Sequence, residues 1–423
     1  MRTAPQVAMV GAGVLGLAAT DALVRLGTEV RCFEKAVPGH VESLGLTRIF
    51  RHAHGDPALV RVAMRAGEGW RAWERCFGRR LLGAEGLLIT GDALAPAWEC
   101  ALRAAGALCQ AVDSAAFTER LPIGQPPSAA LLWDPAAGAI RARRTIDLLR
   151  QSVAHHLVPA EVLDLASHGT GAQVCTTEGT WACDEVLITA GIDTPGLAAQ
   201  VDVQVPTALI RHARLTFAPR RPQGNRALAC WIDQSGAYGE DLSAYAVPVG
   251  TTGRYAVGVS ADGHDFSGTL DVEEVSRRSA ALARRYVPVA LPGLDPVPVD
   301  EVRCAYNTVG LPEGDGFRVE RRDAVTVLYG NNLFKFAPVL GALLGQAVLQ
   351  GAVPVDLSDH GAGPPDGRLV GDAASSAADG GSAADGAQSP VSAPWSVTPP
   401  PARPASRPTV TMCRASECCR LPR

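Results

Sequence analysis

Three glycines and a glutamate near the start of the chain have the residue types and spacing of a dinucleotide site. Gly11, Gly13 and Gly16 follow a short apolar run, and Glu34 ends the next one. The first glycine permits a tight turn, the second lets a pyrophosphate approach the backbone, and the third lets a helix pack closely on a strand. A carboxylate in the position of Glu34 accepts hydrogen bonds from a ribose. The pattern predicts a βαβ unit over residues 7–34 that binds a nicotinamide or a flavin dinucleotide.

The basic residues are almost all arginines. Of 39 lysine and arginine residues, only Lys35 and Lys335 are lysines. In such a chain, a lysine that remains indicates a place that needs a compact ammonium group. Lys35 directly follows Glu34 and is counted with the cofactor-binding candidates, whereas Lys335 lies between two phenylalanines.

Length and composition indicate a multidomain protein with no nucleic-acid or membrane partner. The 423 residues are 47% apolar with a net charge of -4, which allows a large core. Asp21 and Arg25 interrupt the first apolar stretch, which has no basic leader, so we predict neither a signal peptide nor a spanning helix and expect a cytoplasmic protein. The cysteines are scattered, and Cys413, Cys418 and Cys419 lack metal-ligand spacing, so we predict no disulfide framework and no metal site.

Three short segments combine an arginine, a cysteine or a lysine with aromatic neighbours: Thr47-Arg48-Ile49-Phe50-Arg51-His52-Ala53, Cys304-Ala305-Tyr306-Asn307-Thr308 and Phe334-Lys335-Phe336. Through these segments the chain resembles the monomeric sarcosine oxidase and N-methyltryptophan oxidase family of flavoprotein amine oxidases, over roughly residues 5–357. The resemblance implies that the dinucleotide is FAD and that the reaction oxidises the C–N bond of an amine.

The same resemblance implies roles for individual residues. Arg48 would lie beside the flavin, and Cys304 would form a thioether to the flavin 8-methyl group. Arg51 and Lys335 would bind the substrate carboxylate on the substrate side of the flavin. A flat guanidinium and a compact ammonium together suit the fixing of one carboxylate. The resemblance also implies that Val162 contacts the adenine and that Gly191 lies in a turn beneath the FAD. Tyr245 and Tyr306 align with active-site tyrosines of the family, and Trp231 aligns with an apolar residue over the substrate, but each of these three aromatic residues is equally explicable as core.

The order of apolar runs predicts an α/β fold, in which an N-terminal Rossmann-type FAD-binding domain is interleaved with an α+β substrate domain built on an antiparallel sheet. We expect residues 1–83, 145–204 and 301–357 in the FAD-binding domain, and residues 84–144 and 205–300 in the substrate-binding domain. Residues 358–423 are rich in Gly, Ala, Ser, Asp and Pro and are expected to form a disordered tail. We expect a monomer that acts on a small amino-acid-like molecule.

The departures from the family pattern concern the electron acceptor and the substrate. Ala256 replaces the family's oxygen-activating lysine, and Ser260 replaces a nearby histidine. Without a cation there, reduction of O2 loses electrostatic support. Arg254 and His264 are the nearest cations in the sequence, and neither is an obvious substitute. Two other replacements indicate that the substrate is not sarcosine: Leu44 for a histidine and His54 for a tyrosine.

Two other interpretations stay open from the sequence. An NAD(P)-dependent dehydrogenase has the same glycine pattern but would be colourless when purified. A non-catalytic flavin-binding protein would be yellow, yet no amine would reduce its flavin. The identity of the substrate and the choice between O2 and another electron acceptor are open as well.

Overall fold

The computed structural model describes residues 7–168, 170–224, 227–250, 252–261, 271–309 and 315–353. The tail expected at residues 358–423, with its three cysteines, lies outside the described residues, as does His264.

Helices and strands alternate along the described chain. The helices are α1 (Val14–Arg25), α2 (Pro57–Phe77), α3 (Leu94–Ala104), α4 (Ser114–Arg120), α5 (Ala142–Ser152), α6 (Thr194–Ala199), α7 (Val272–Ala290) and α8 (Ala337–Gln350). The strands are β1 (Val7–Val10), β2 (Val30–Glu34), β3 (Arg48–Phe50), β4 (Leu87–Thr90), β5 (Gln110–Ala111), β6 (Leu131–Asp134), β7 (Gly138–Ile140), β8 (Leu157–Pro159), β9 (Val162–His168), β10 (Gly171–Thr176), β11 (Gly179–Cys183), β12 (Glu185–Ile188), β13 (Thr207–Pro219), β14 (Cys230–Asp233), β15 (Leu242–Pro248), β16 (Tyr255–Ala261), β17 (Leu294–Val309), β18 (Gly316–Arg322) and β19 (Val325–Asn331).

A six-stranded sheet carries the predicted dinucleotide unit. Its strand order is β18-β19-β12-β1-β2-β8, and β1 pairs in parallel with both β2 and β12. All four residues of β1 are buried, as expected for a parallel strand covered on both faces. The α/β fold is therefore confirmed, and the strands of this sheet come from the three segments expected in the FAD-binding domain. Three smaller strands, β9, β10 and β11, form a separate antiparallel sheet.

Helix α8 packs against α1 on one face of this sheet. The segment Leu333–Gln350 is long and apolar enough to cross a membrane, but 72% of it is buried inside the protein, where it belongs to the same core cluster as α1. Close approach of the two helices depends on Gly341, because a Cβ added there would lie 2.6 Å from the Cβ of Ala18. This segment is therefore a core helix of the nucleotide-binding half.

An eight-stranded sheet forms the other half, with strand order β17-β13-β16-β15-β14-β4-β6-β5. The sheet is not wholly antiparallel as predicted, since β14 and β4 pair in parallel. A second difference concerns the boundary expected at residue 301. Strand β17 runs through it and pairs with β13 along its whole length, so that Cys304 faces His212 across the ladder. Cys304 thus belongs to the substrate-side sheet, because strand pairing over sixteen residues outweighs the local sequence break.

The packing of α8 on α1 predicts opposite effects for one substitution at two sites. Gly341→Ala should lower the free energy of unfolding by about 1–3 kcal/mol, since the added methyl group has no room. Gly345→Ala should leave it unchanged or raise it by up to about 1 kcal/mol, because alanine favours a helix and its Cβ would meet Ala22 at an ordinary 3.5 Å. Urea unfolding followed by circular dichroism measures both, and equal effects would contradict the close packing.

Candidate active site

The first turn of the βαβ unit opens into a cavity of 460 Å³. Six of the sequence-predicted cofactor residues border it: Gly11, Gly13, Glu34, Lys35, Val162 and Gly191. Gly16 does not reach the cavity. It packs instead against the turn, where an added Cβ would lie 1.9 Å from the carbonyl oxygen of Gly11. The structure therefore brings together residues from β1, β2, β9 and the turn after β12.

The cavity has the chemistry that a dinucleotide requires. Helix α1 begins at Val14, and its N-cap residue Gly13 gives no side-chain cap. The Val14 N–H donates to Ser43 Oγ at 3.0 Å, and the positive end of the helix dipole favours an anion at this turn. Gly11 has φ +93°, and an added Cβ there would lie 2.7 Å from the carbonyl oxygen of Thr189. At Gly13, by contrast, an added Cβ would meet only Ser43 Oγ at 3.5 Å, so that side of the turn is open to a ligand. These features fit the pyrophosphate of FAD.

Glu34 and Lys35 border this cavity at the end of β2. The two carboxylate oxygens of Glu34 accept hydrogen bonds from the N–H groups of Ala12 and Ala36, at 2.8 and 2.9 Å, which fix the carboxylate and leave it further acceptor capacity. The Lys35 ammonium is half-exposed and pairs with Asp193 at 2.7 Å. Lys35 therefore lies on the rim, where its charge is already matched.

A second cavity of 270 Å³ is bordered by His40, Leu44, His212 and Cys304. It shares Val41 with the first cavity, so the segment 39–44 separates and borders both. Cys304 is partly buried and forms no disulfide. The predicted flavin-attachment cysteine is thus accessible from a cavity next to the dinucleotide cavity.

Arg51 and Lys335 meet at one carboxylate, although 283 residues separate them in the chain. The carboxylate is that of Asp315. Its Oδ2 atom lies 2.6 Å from Arg51 Nη2, 2.5 Å from Lys335 Nζ and 3.1 Å from His54 Nδ1, and its Oδ1 atom accepts from Asn332 at 2.6 Å. The Asp315 side chain is 7% exposed and that of Lys335 is 6% exposed. We call these five residues the Asp315 cluster.

The charges in the Asp315 cluster follow from burial and from one another. Burial alone would raise the pKa of Asp315, but Lys335, then Arg51 and the bond from His54 outweigh it and hold this pKa well below its usual range. Burial lowers the pKa of Lys335 to about 8 although Asp315 opposes that shift. Burial and Lys335 lower the pKa of His54 to about 3. At neutral pH His54 is therefore an uncharged N–H donor, and the cluster has one net positive charge.

Neighbouring aromatic rings and buried donors hold the cluster in place. Arg51 Cζ lies 4.6 Å from the centroid of the Trp98 ring, and His54 lies 5.6 Å from Phe336, ring to ring. On the other side, Trp70 of α2 donates to the backbone carbonyl of Lys335 at 2.8 Å. The Arg51 and His54 side chains therefore lie against an apolar wall that excludes water.

The segment that carries Arg51 and His54 is fixed by a buried carboxylate. Asp134 Oδ2 accepts from the backbone N–H groups of His52 and Ala53 at 2.8 and 3.1 Å. Helix α2 begins immediately afterwards, capped by Asp56, which accepts from the N–H of Ala58 at 2.8 Å. The cation positions are thus set by backbone bonds on both sides of the segment.

The two tyrosines predicted for the active site, Tyr245 and Tyr306, both contact His212. Its Nε2 atom is 3.2 Å from the Tyr245 hydroxyl, and its ring is 5.4 Å from that of Tyr306. Burial raises the pKa of both tyrosines, so both hydroxyl groups stay protonated. The structure joins these residues to the Cys304 cavity and not to the Asp315 cluster.

Trp231 is a core residue, which is one of the two interpretations that the sequence allowed. It is 1% exposed and packs against Phe117 and Tyr286. Arg254 is exposed and precedes β16, which agrees with the expectation that it does not replace the missing cation. Sequence reasoning missed Asp315 and Trp98, because an acid in a loop and a tryptophan on a helix have no local signature.

Comparison with known proteins identifies the class. Residues 6–347 match the family model for FAD dependent oxidoreductases, and the chain therefore belongs to that family. N-methyl-L-tryptophan oxidase of Yersinia pestis (strain Pestoides F) is 26% identical over 227 residues, which cover 51% of this chain and 59% of that protein. The alignment thus spans less than two thirds of the length of this curated relative.

Solved structures share the fold. NikD, described as an unusual amino acid oxidase essential for nikkomycin biosynthesis, superposes with a TM-score of 0.72 at 20% identity, over 84% of this chain and 96% of that one. L-proline dehydrogenase from P. horikoshii gives a TM-score of 0.69 at 18% identity, over 84% and 96%. These likenesses confirm the architecture of an FAD domain combined with a substrate domain.

The Asp315 cluster predicts a pH-dependent loss of stability. Asp315→Asn leaves two buried cations without their counter-charge and should lower the free energy of unfolding by about 3–5 kcal/mol at pH 7. Because the pKa of Asp315 is depressed in the folded protein, wild type keeps this stabilisation above about pH 4 and loses it as the pH falls further. Urea unfolding from pH 7 downwards measures the difference, which should shrink in acid.

The matched control is Asp241→Asn. Asp241 pairs with Arg285 at 3.0 Å, but both side chains are more than two-fifths exposed, so its loss should cost less than about 1 kcal/mol. If Asp315→Asn costs no more than Asp241→Asn, the buried cluster does not hold its charges as described.

Proposed function

We propose that the protein is an FAD-dependent oxidoreductase that converts a carboxylate-bearing secondary or cyclic amine to an imine. The observation that supports it most is the convergence of Arg51 and Lys335 on a single carboxylate. The internal Asp315 carboxylate has the two-cation environment that a substrate carboxylate would need. The site is thus shaped for one carboxylate among aromatic rings.

The chain's residues would hold and orient the substrate. Bound FAD would accept a hydride at N5 from the carbon next to the amine nitrogen, and that nitrogen would lose a proton as the imine forms. Arg51 and Lys335 would fix the carboxylate, and Trp98 and Phe336 would keep water away, so that the carbon is held in one orientation. O2 or another acceptor would be the final electron acceptor of the reaction.

Asp315 competes with a substrate carboxylate for the same two cations. A carboxylate that displaced Asp315 would receive the Arg51 and Lys335 hydrogen bonds and leave the net charge of the cluster near its resting value. This exchange would favour a substrate with its own anion over a simple amine, because a neutral ligand that displaced Asp315 would leave the cations unpaired. We further propose that the protein is a cytoplasmic monomer.

Anaerobic mixing with a panel of secondary and cyclic amino acids tests the reaction. At least one should bleach the flavin absorbance, and the same compound as an ester should react at least about tenfold more slowly, because it lacks the charge that the clamp binds. A colourless protein would favour a nicotinamide enzyme. A yellow protein that no amine reduces, although dithionite does, would contradict catalysis.

Lys335→Arg is the sharper test of the clamp. It keeps the charge but replaces a compact ammonium by a bulky planar group. The rate of flavin reduction by an amine should therefore fall, by an amount that corresponds to a loss of about 2–4 kcal/mol of transition-state stabilisation. In wild type the KM should rise above about pH 8, where Lys335 loses its proton, and Lys335→Met should lack that rise. Lys35→Arg, at the exposed rim, is the matched control. Unchanged reduction in both Lys335 variants would exclude the clamp.

We propose that Cys304 attaches the flavin covalently. Its position at a cavity adjoining the dinucleotide cavity supports this. Intact-protein mass spectrometry of acid-denatured wild type should show the added mass of FAD, and Cys304→Ser should release the flavin under the same treatment. The variant should still bind FAD when folded, since the glycine turn and Glu34 are unchanged. An intact mass without flavin in wild type would exclude the covalent bond.

A further inference from the structure

Two arginines share one backbone acceptor between the two cavities. Arg48 donates to the carbonyl oxygens of Glu42, Leu44 and Thr47 at 3.1, 2.5 and 2.9 Å. Arg214, which is 4% exposed, donates to the same Thr47 oxygen at 3.1 Å. A Cβ added at Gly45 would lie within 3 Å of both guanidinium groups. We call Arg48 and Arg214 the arginine pair.

The groups that shift the pKa of Arg48 are the partner arginine, a thiol and a phenol: Arg214, Cys304 and Tyr245. Burial, followed by repulsion from Arg214, lowers the pKa of Arg48 to about 10, and no carboxylate is among the groups that act on it. Burial and both arginines lower the pKa of His212 to about 4, while burial raises that of Tyr245. At neutral pH both neighbours are uncharged. The pair is therefore two neighbouring positive charges whose guanidinium groups donate to uncharged backbone carbonyl groups.

Strand register puts Arg214 on the same face of the sheet as Ala256. Thr216 of β13 is paired with Ala256 of β16, and Arg214 lies two residues before Thr216, so all three point to one side. The intervening pair, Leu215 and Val257, points to the other side, into the core cluster that includes α7. Arg214 thus supplies a buried cation on the face where Ala256 has none.

The arginine pair lies between the cofactor cavities and the Asp315 cluster. The carbonyl oxygens of Glu42 and Leu44 belong to the segment that borders both cavities. On the opposite side, Arg48 Cζ is 5.7 Å from the centroid of the Phe334 ring, and Phe334 directly precedes Lys335. The pair is therefore next to the segment that borders both cavities and next to the residue that precedes Lys335.

We propose that the arginine pair is a binding site for negative charge on the flavin ring, with Arg214 as the cation that position 256 lacks. This rests on the proposed function only in requiring that FAD binds. Electrons entering the ring leave negative charge near N1 and the C2 carbonyl. Arg214 is buried and Arg48 is partly buried, so the two like charges are costly to hold side by side, and they stabilise an anion that forms next to them.

Sulfite tests the proposal without turnover. It adds to oxidised flavin by giving its sulfur lone pair to N5, so that an N–S bond forms, the ring gains the negative charge and no other reactant is needed. In the FAD-loaded protein, Arg214→Met should weaken sulfite binding by about tenfold or more. The binding is measured from the loss of flavin absorbance as sulfite is added. The two-electron reduction potential should become more negative. Arg214→Lys, which keeps a charge, should restore much of the affinity.

Arg303→Met is the matched control, since Arg303 borders the second cavity but already pairs with Glu273 and Glu301 at 3.1 and 2.9 Å. Its sulfite affinity should equal that of wild type. If Arg214→Met keeps its flavin and binds sulfite as wild type does, the inference is wrong while the proposed function stands. If Arg214→Met does not fold, Arg214→Gln takes its place with the same expectation. A wild-type protein that binds no FAD would overturn both proposals.

Discussion

The candidate site depends on an excess of positive charge over negative charge in a region that is largely shielded from water. Arg48, Arg51, Arg214 and Lys335 occupy one region, and Asp315 is the carboxylate that contacts two of them. Removing these cations from water costs several kcal/mol for each charge unless anions compensate. The fold therefore maintains a region of positive potential that favours negatively charged ligands. This property is required for binding a carboxylate and for stabilising electrons on a flavin.

The cations are positioned by segments from both halves of the fold. Arg51 follows the short strand β3, and Lys335 follows β19 of the six-stranded sheet. Arg214 comes from β13 of the other sheet, and its bond to the Thr47 carbonyl joins that sheet to the segment before Arg48. This buried bond couples the eight-stranded sheet to the segment that leads into β3. The geometry of the charged region is therefore a property of their junction.

Local patterns predicted what depends on neighbouring residues. The glycine turn and Glu34 lie within one supersecondary unit, so their spacing alone determines that they meet at one cavity. Arg51 and Lys335 were predicted from a resemblance, because their meeting depends on the path of the whole chain. Asp315 and Arg214 had no signal. Asp315 lies between two glycines, a sequence that is typical of a loop. Arg214 lies within a strand, where an arginine is expected to face solvent, and only the pairing of its strand with β16 shows which face it occupies.

The choice of lysine at position 335 follows from the exchange of carboxylates that the cluster must permit. An arginine holds its charge in any surroundings, so a site with two arginines would bind Asp315 through several rigid contacts. A buried lysine is different: its pKa of about 8 reflects burial opposed by Asp315, so its charge is maintained by whichever carboxylate lies beside it. Its single ammonium can also turn from one oxygen to another without moving the backbone. In a chain that uses arginine at nearly every other basic position, this adaptability is a physical reason for the exception.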